Sequence, residues 1–90
     1  MKFEWDSKKN ENNILKHGVD FADAEEMFKR ELFAVQDVRK SYGENRFVGL
    51  GHIQNRLMVI VFTKPKFNTI RIISLRKANK REQAKFKKAI

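Results

Sequence analysis

The segment at residues 57–63 limits the possible folds of this 90-residue chain more than any other, because it is uncharged and almost wholly apolar. Such a run is typical of a strand that is buried on both faces. It is far shorter than the roughly 20 apolar residues that cross a membrane. We therefore expect a sheet in which this segment is the central strand and both of its faces are covered.

Other segments with the composition of strands surround this one. Three of them are rich in β-branched and aromatic residues, and a shorter one near the start alternates apolar with polar side chains. These segments are residues 2–5, residues 32–38, Arg46–Ile53 and residues 69–75. Polar or glycine-containing stretches at residues 39–45, 54–55 and 64–68 predict the connections between them. Because these connections are short, we expect neighbouring strands to be antiparallel.

Two helices are predicted before the second strand. Asp6 can cap a helix over Ser7–His17, and Gly18 can end it in the left-handed conformation. Asp20 can cap a second helix, whose apolar side chains recur every three or four positions and so form one stripe. The side chains of that stripe are Phe21, Ala24, Met27 and Phe28.

A last helix is predicted over Lys80–Ala89. Asn79 precedes it, and Glu82 has the spacing of a capping box. The predicted order is therefore β-α-α-β-β-β-β-α, an α+β fold with a small antiparallel sheet and helices packed on one face. A chain of this length without a repeat or a linker is expected to form one domain, residues 1–90.

Charge is divided unevenly between the two halves of the chain. Residues 1–45 contain eight basic and ten acidic side chains, whereas residues 46–90 contain twelve basic and one acidic. A surface that serves solubility alone usually mixes both signs. The strongly basic second half therefore indicates a polyanionic partner such as nucleic acid.

Composition excludes several kinds of chemistry. The lack of cysteine rules out disulfides, zinc–thiolate and iron–sulfur sites, and thiol nucleophiles. His17 and His52 are far apart in the sequence and belong to no metal-binding motif, so we expect no metal and no cofactor. Gly49 and Gly51 lie within a strand, where glycine typically marks a bulge or a close approach of another backbone. The first residues carry no signal-peptide core, which predicts a cytoplasmic location.

The basic side chains suit the cleavage of RNA. When the 2′-hydroxyl of RNA attacks the adjacent phosphate, the protein must supply a proton acceptor, a proton donor and cations around the developing charge. Arginine fits the last role because its planar guanidinium pairs with two phosphate oxygens. Strand alternation places Arg71 and Arg76 on opposite faces unless a bulge intervenes. Structural roles are the alternatives: an ion pair with a helix carboxylate for Arg71, and the cap itself for Glu82.

Several blocks of the sequence resemble the BrnT toxin family, and together they span nearly the whole chain. The most distinctive are Lys16-His17-Gly18 and the block Arg-Ile-Ile-Ser-x-Arg-x-Ala that runs from Arg71 to Ala78. Further matches are Phe3-Glu4-Trp5-Asp6, Lys9, Asn13, Val19, Phe21, Ala24, Gly43-Glu44-Asn45-Arg46, Gly49, Phe62-Thr63 and Glu82. The resemblance implies a RelE-like ribonuclease toxin that acts on RNA to stop translation. It also implies a BrnA-like antitoxin with a ribbon-helix-helix region, through which the complex binds operator DNA.

Together the residues and the resemblance predict a metal-independent endoribonuclease toxin. We expect Arg46, Arg71 and Arg76 to bind the phosphate, and His17 and Glu82 to transfer protons. The remaining basic side chains expected to bind RNA are Lys9, Lys64, Lys66, Lys77, Lys80 and Arg81. One alternative is a non-catalytic module that binds nucleic acid or a partner and acts as corepressor with a DNA-binding antitoxin. The other is a protein–protein adaptor whose basic half docks on an acidic partner.

Overall fold

The computed structural model describes residues 1–38 and 43–89, and its elements follow the predicted order. They are β1 (Lys2–Glu4), α1 (Ser7–His17), a 3₁₀ helix (Phe21–Ala24), α2 (Glu25–Lys29), β2 (Phe33–Asp37), β3 (Arg46–Ile53), β4 (Arg56–Thr63), β5 (Thr69–Lys77) and α3 (Lys80–Ala89). The second predicted helix is thus divided into a 3₁₀ turn and a short α-helix. Of the turn predicted at residues 39–45, residues 39–42 lie outside the described residues. No helix within the described ranges is long and apolar enough to cross a bilayer.

Helix α1 begins and ends at the predicted residues. The Asp6 carboxylate accepts hydrogen bonds from the backbone N–H of Lys8 at 2.9 Å and of Lys9 at 3.1 Å. At the other end Gly18 has φ +70°, and its N–H donates to the carbonyl of Ile14. This left-handed conformation favours glycine, because a Cβ atom strains it.

The sheet has five strands in the order β1-β5-β4-β3-β2, so β4 is central as predicted. Neighbouring strands from β2 to β5 are antiparallel, whereas β1 runs parallel to β5. The sheet is therefore mixed rather than fully antiparallel. Because β1 and β5 are distant in sequence, no hairpin fixes their relative direction.

Helices cover both faces of the sheet, so the prediction that they pack on one face is wrong. The first face packs against the 3₁₀ helix and α2, which contribute Phe21, Ala24 and Met27 to the main core. The second face packs partly against α3 through a smaller cluster, made of Leu50, Val59, Ala78 and Phe86. Alternation along β4 is the reason, since its apolar side chains project to both sides and each side needs a cover.

A bulge interrupts β5 near its middle. Val61 of β4 pairs with Ser74, but the next residue, Phe62, pairs with Ile72. Ile73 is therefore the extra residue, and side-chain alternation reverses beyond it. As a result Ile72 and Leu75 both join the main core, although they are three positions apart.

This reversal changes where two of the predicted site arginines point. Arg71 lies opposite Thr63, and Arg76 lies opposite Val59. Both partners belong to the second face of β4, so both arginines lie on that face. The bulge that the alternation argument allowed for is present, and it brings the two side chains to the same side of the sheet.

Gly49 and Gly51 lie in regular strand rather than at a bulge, and they make room mainly for a side chain. The predicted close approach of another backbone is present at Gly51, where a Cβ atom would lie 3.4 Å from the Glu31 carbonyl oxygen. A Cβ atom at Gly49 would lie 3.1 Å from Cδ1 of Leu32 and 3.2 Å from Cγ2 of Ile60. One at Gly51 would lie 3.2 Å from the same Leu32 atom. The two glycines therefore let Leu32 pack closely on the first face of β3.

Helix α1 is fixed to the edge of β5 by the buried side chain of Asn13. Its Nδ2 donates to the Leu75 carbonyl at 2.8 Å and to the Val19 carbonyl at 3.1 Å. Its Oδ1 accepts from the Leu75 N–H at 3.2 Å. Since β1 pairs with Thr69 to Arg71, Asn13 satisfies backbone groups further along the same edge.

Candidate functional site

One row of residues crosses all five strands on the second face, at the end of the sheet away from α3. In spatial order from β1 to β2, the row is Glu4, Arg71, Thr63, Arg46 and Asp37. Two arginines therefore flank a neutral threonine, and a carboxylate stands at each outer end. Because adjacent strands are about 4.8 Å apart, the Cα atoms of the two arginines are about 10 Å apart. Both side chains project from the same face of the sheet, on either side of Thr63.

Carboxylates hold the two arginines of this row in place. The Arg71 Nε donates to Glu4 Oε2 at 2.7 Å, and a terminal nitrogen of Arg71 pairs with the same oxygen. The structural alternative predicted for Arg71 was an ion pair with a carboxylate on a helix. Arg71 does form an ion pair, but its partner, Glu4, lies on strand β1. Arg46 Nε lies 3.6 Å from a carboxylate oxygen of Glu44. Half of the Arg71 side chain, 49%, remains exposed and accessible to a ligand.

Arg76 forms a second cluster with Glu82 at the start of α3. The two terminal nitrogens of Arg76 donate to the two Glu82 oxygens at 2.9 and 2.8 Å. Glu82 also accepts from the Asn79 N–H at 2.9 Å, and Asn79 Oδ1 accepts from the Glu82 N–H at 2.8 Å. The predicted capping box is therefore confirmed, and the same carboxylate orients Arg76.

This pairing changes the protonation behaviour of both groups. The hydrogen bonds from Arg76 hold the pKa of the Glu82 carboxyl below its usual value, with a further contribution from the Asn79 N–H. In return, the hydrogen bonds to Glu82 raise the pKa of Arg76. Glu82 is thus ionised at neutral pH and is a weak proton acceptor. Its geometry suits an orienting role better than the proton-transfer role expected from the sequence.

The three arginines share a face but do not converge on one point. Arg71 lies opposite Thr63 and Arg76 opposite Val59, four residues apart along β4. At the rise of a strand this separation is about 13 Å. The face therefore carries two separate cationic positions, one between Arg46 and Arg71 and one at Arg76.

A groove on the same face connects Arg76 to the outer strand β2. One cavity of about 440 Å³ includes Arg76, Glu82, Lys85 and Val35 in its lining. An adjoining cavity of about 280 Å³ is more apolar and includes Phe33. Sequence reasoning missed Lys85, although its position three residues after Glu82 in a predicted helix places the two on one side.

The other predicted site residues lie around this face or away from it. Lys64 and Lys66 lie in the β4–β5 connection, next to the row at the end of the sheet. Three more lie at the opposite end of β5 and in the first turn of α3: Lys77, Lys80 and Arg81. Lys9 is exposed on α1.

His17 is the last residue of α1, the helix that Asn13 fixes to β5 at Leu75. Within the described residues it forms no hydrogen bond or ion pair with Arg46, Arg71, Arg76 or Glu82. Residues 1–38 and 43–89 also contain no group of three or more His, Asp or Glu side chains that could hold a metal ion. The candidate site therefore consists of two arginine clusters and the groove beside α3.

Comparisons with known proteins agree with the sequence resemblance. Residues 5–82 match the family model described as "Ribonuclease toxin, BrnT, of type II toxin-antitoxin system". The crystal structure of the Brucella abortus ribonuclease toxin BrnT superposes with a TM-score of 0.69 at 30% sequence identity, and the match covers 89% of this chain and 99% of that one. Among curated protein sequences no significant match was found. The chain therefore belongs to the BrnT family of ribonuclease toxins of type II toxin–antitoxin systems.

Proposed function

We propose that this chain is an endoribonuclease toxin that cleaves RNA by attack of the 2′-hydroxyl on the adjacent phosphate, without a metal ion. The observation that carries the proposal is that Arg46, Arg71 and Arg76 lie on one face of the sheet, which α3 covers only in part. Arg46 lies on another strand from Arg71 and Arg76, and the bulge in β5 is needed to bring the latter two to one face. Family membership supports RNA as the target.

Arg76 is proposed to contact the phosphate that reacts. Of the five N–H donors of a guanidinium, Glu82 takes two and the Lys77 carbonyl a third, which leaves two for a phosphate. Because Glu82 fixes its direction, Arg76 is a preorganised cation, the kind of group that stabilises charge developing in a transition state. Arg46 and Arg71 then bind another phosphate of the same RNA and set its register on the face.

Proton transfer is the role proposed for His17, which ends the helix that Asn13 fixes to β5 at Leu75, the neighbour of Arg76. Glu82 is reassigned to orienting Arg76. Histidine is the side chain whose unperturbed pKa suits acid–base work near neutral pH, and the sequence contains His17 and His52. His52 packs against the Phe86 ring, with centroids 5.3 Å apart, under α3. His17→Ala should therefore flatten the pH dependence of cleavage, whereas His52→Ala should leave its shape unchanged.

The proposed partner is a BrnA-like antitoxin with a ribbon-helix-helix region that carries the complex to operator DNA. Membership of a type II family implies an antitoxin. Phe33 and Val35 are 46% and 53% exposed on β2, next to the groove that contains Arg76. An antitoxin segment lying on this apolar edge would block access to Arg76. Co-expression should therefore yield a complex that does not cleave RNA.

The decisive experiment is a cleavage assay with purified, partner-free protein and labelled RNA in the presence of EDTA. We expect cleavage to persist, and Arg71→Ala to weaken it. Lys29→Ala serves as the control, since this lysine is 72% exposed on α2, which covers the first face. Loss of cleavage on chelation, restored by Mg²⁺, would contradict the mechanism. Absence of cleavage together with operator binding by the antitoxin complex would favour the corepressor alternative.

A further inference from the structure

The β4–β5 connection presents an aromatic ring to solvent. Phe67 is 97% exposed, the largest exposed fraction among the large apolar side chains of the described residues. The loop around it is a tight turn: the Thr69 N–H donates to the Lys66 carbonyl at 3.2 Å, and Asn68 has φ +57°. The turn therefore places Phe67 at the tip of the connection, where its ring projects into solvent.

Two lysine side chains lie near this ring. Phe67, Lys64 and Lys66 line the same concavity, of about 540 Å³. The Lys64 ammonium lies 5.0 Å from the centroid of the Phe47 ring, a cation–π contact that limits its movement. No carboxylate side chain contributes to the lining of this concavity within the described residues.

The concavity lies at the same end of the sheet as the arginine row. Thr69, which also lines it, is two residues before Arg71 on the same side of β5. Lys64 directly follows Thr63, the residue that separates Arg71 from Arg46. The Lys64 ammonium lies over Phe47, whose ring packs on the first face, and Thr69 is buried. An RNA strand bound along the row would therefore turn round this end of the sheet to reach Phe67.

We propose that Phe67 is a stacking platform for an unpaired base of single-stranded RNA, with Lys64 and Lys66 binding the flanking phosphates. This inference rests on the proposed ribonuclease function and adds a base-binding position to it. An exposed ring between cations is the arrangement by which proteins hold single strands, because every base has a π-face and every nucleotide a phosphate. The lysines favour this ligand over an apolar protein segment, which would gain nothing from two ammonium groups.

The test is the affinity for a short 2′-O-methyl RNA, which binds but lacks the attacking hydroxyl. Stacking of one base contributes about 1–3 kcal/mol, so Phe67→Ala should weaken binding roughly 5- to 150-fold. Phe67→Leu should weaken it similarly, whereas Phe67→Trp should retain it and show indole fluorescence quenched by the RNA. Leu15→Ala is the matched control, since Leu15 is 87% exposed on α1.

Each outcome bears on the stacking role separately from the nuclease activity. If Phe67→Ala binds the oligonucleotide as the parent does while the parent cleaves RNA, the platform is refuted and the proposed function stands. Unchanged RNA binding with weakened antitoxin binding would refute it too, and would make Phe67 a protein contact. If the parent neither binds nor cleaves RNA, the proposed function itself fails.

Discussion

Replacement of Arg76 by alanine should separate activity from stability. The change removes the bidentate pair with Glu82, but 41% of the Arg76 side chain is exposed and solvent screens the interaction. A pair of this kind contributes about 1 kcal/mol to the free energy of unfolding. For a domain of this size the melting temperature should fall by about 4–8 °C. Glu82 keeps its bond to the Asn79 N–H, so α3 should keep its cap.

The expected loss of activity is much larger. Removal of one preorganised donor from a transition state typically lowers the rate about 10²–10³-fold, or roughly 3–4 kcal/mol of barrier. Arg76→Ala should therefore cleave RNA at least a hundredfold more slowly at a temperature where it remains folded. The assay is single-turnover cleavage of labelled RNA, with a thermal melt of the same sample.

Two further variants complete this test. Arg76→Lys should recover part of the rate, because an ammonium keeps the charge but cannot reproduce the two-pronged geometry. Lys29→Ala, on the opposite side of the molecule, should match the parent. Cleavage by Arg76→Ala at the parental rate would show that Arg76 is a surface charge, and the assignment of the reacting phosphate to it would be wrong.

Three other predictions follow from the same contacts. Asn13→Ala leaves the Leu75 backbone groups buried without partners and should lower the free energy of unfolding by about 2–3 kcal/mol. Thermal melts of this variant and of a control, Asn12→Ala at an exposed position, check this; equal melting temperatures would contradict it. The pKa of Glu82 is lowered by folding, so its contribution to stability is present above its unfolded pKa and is lost as the pH falls through the lower folded one. The stability difference between the parent and Glu82→Gln should therefore shrink in acid, and a difference that grows on acidification would be inconsistent with this pairing. Binding of single-stranded RNA should weaken as salt is added, because each neutralised phosphate contributes roughly −0.7 to the slope of log K against log salt concentration. If the basic residues form one continuous face, a salt titration should give a total slope of about −3 or steeper. A flat response would mean that the charges act separately.

Local signals predicted the elements well, because the residues that decide them are adjacent in sequence. Asp6 and Gly18 mark the two ends of α1, and the Asn79–Glu82 capping box starts α3. The apolar residues 57–63 form the central strand. The parallel direction of β1 was not predictable, since it depends on a pairing with β5 across most of the chain.

The site was less accessible to sequence reasoning, because its geometry depends on one extra residue. The bulge at Ile73 decides whether Arg71 and Arg76 share a face. No residue type in this segment predicts a bulge at that position. The partners of the arginines also depend on tertiary contacts: Glu4 reaches Arg71 from the first strand. Glu82 was expected to cap α3 or to transfer protons, and the structure adds the pairing that orients Arg76.

The central claim, attack by the 2′-hydroxyl at an arginine-lined face, is tested most directly with an oligonucleotide that contains a single ribonucleotide in a DNA strand. The purified protein should cut this strand at the 3′ side of the ribonucleotide and leave a 2′,3′-cyclic phosphate or its hydrolysed product, and it should leave the all-deoxy strand intact. Cleavage of the all-deoxy strand, or products with a free 3′-hydroxyl, would contradict the account.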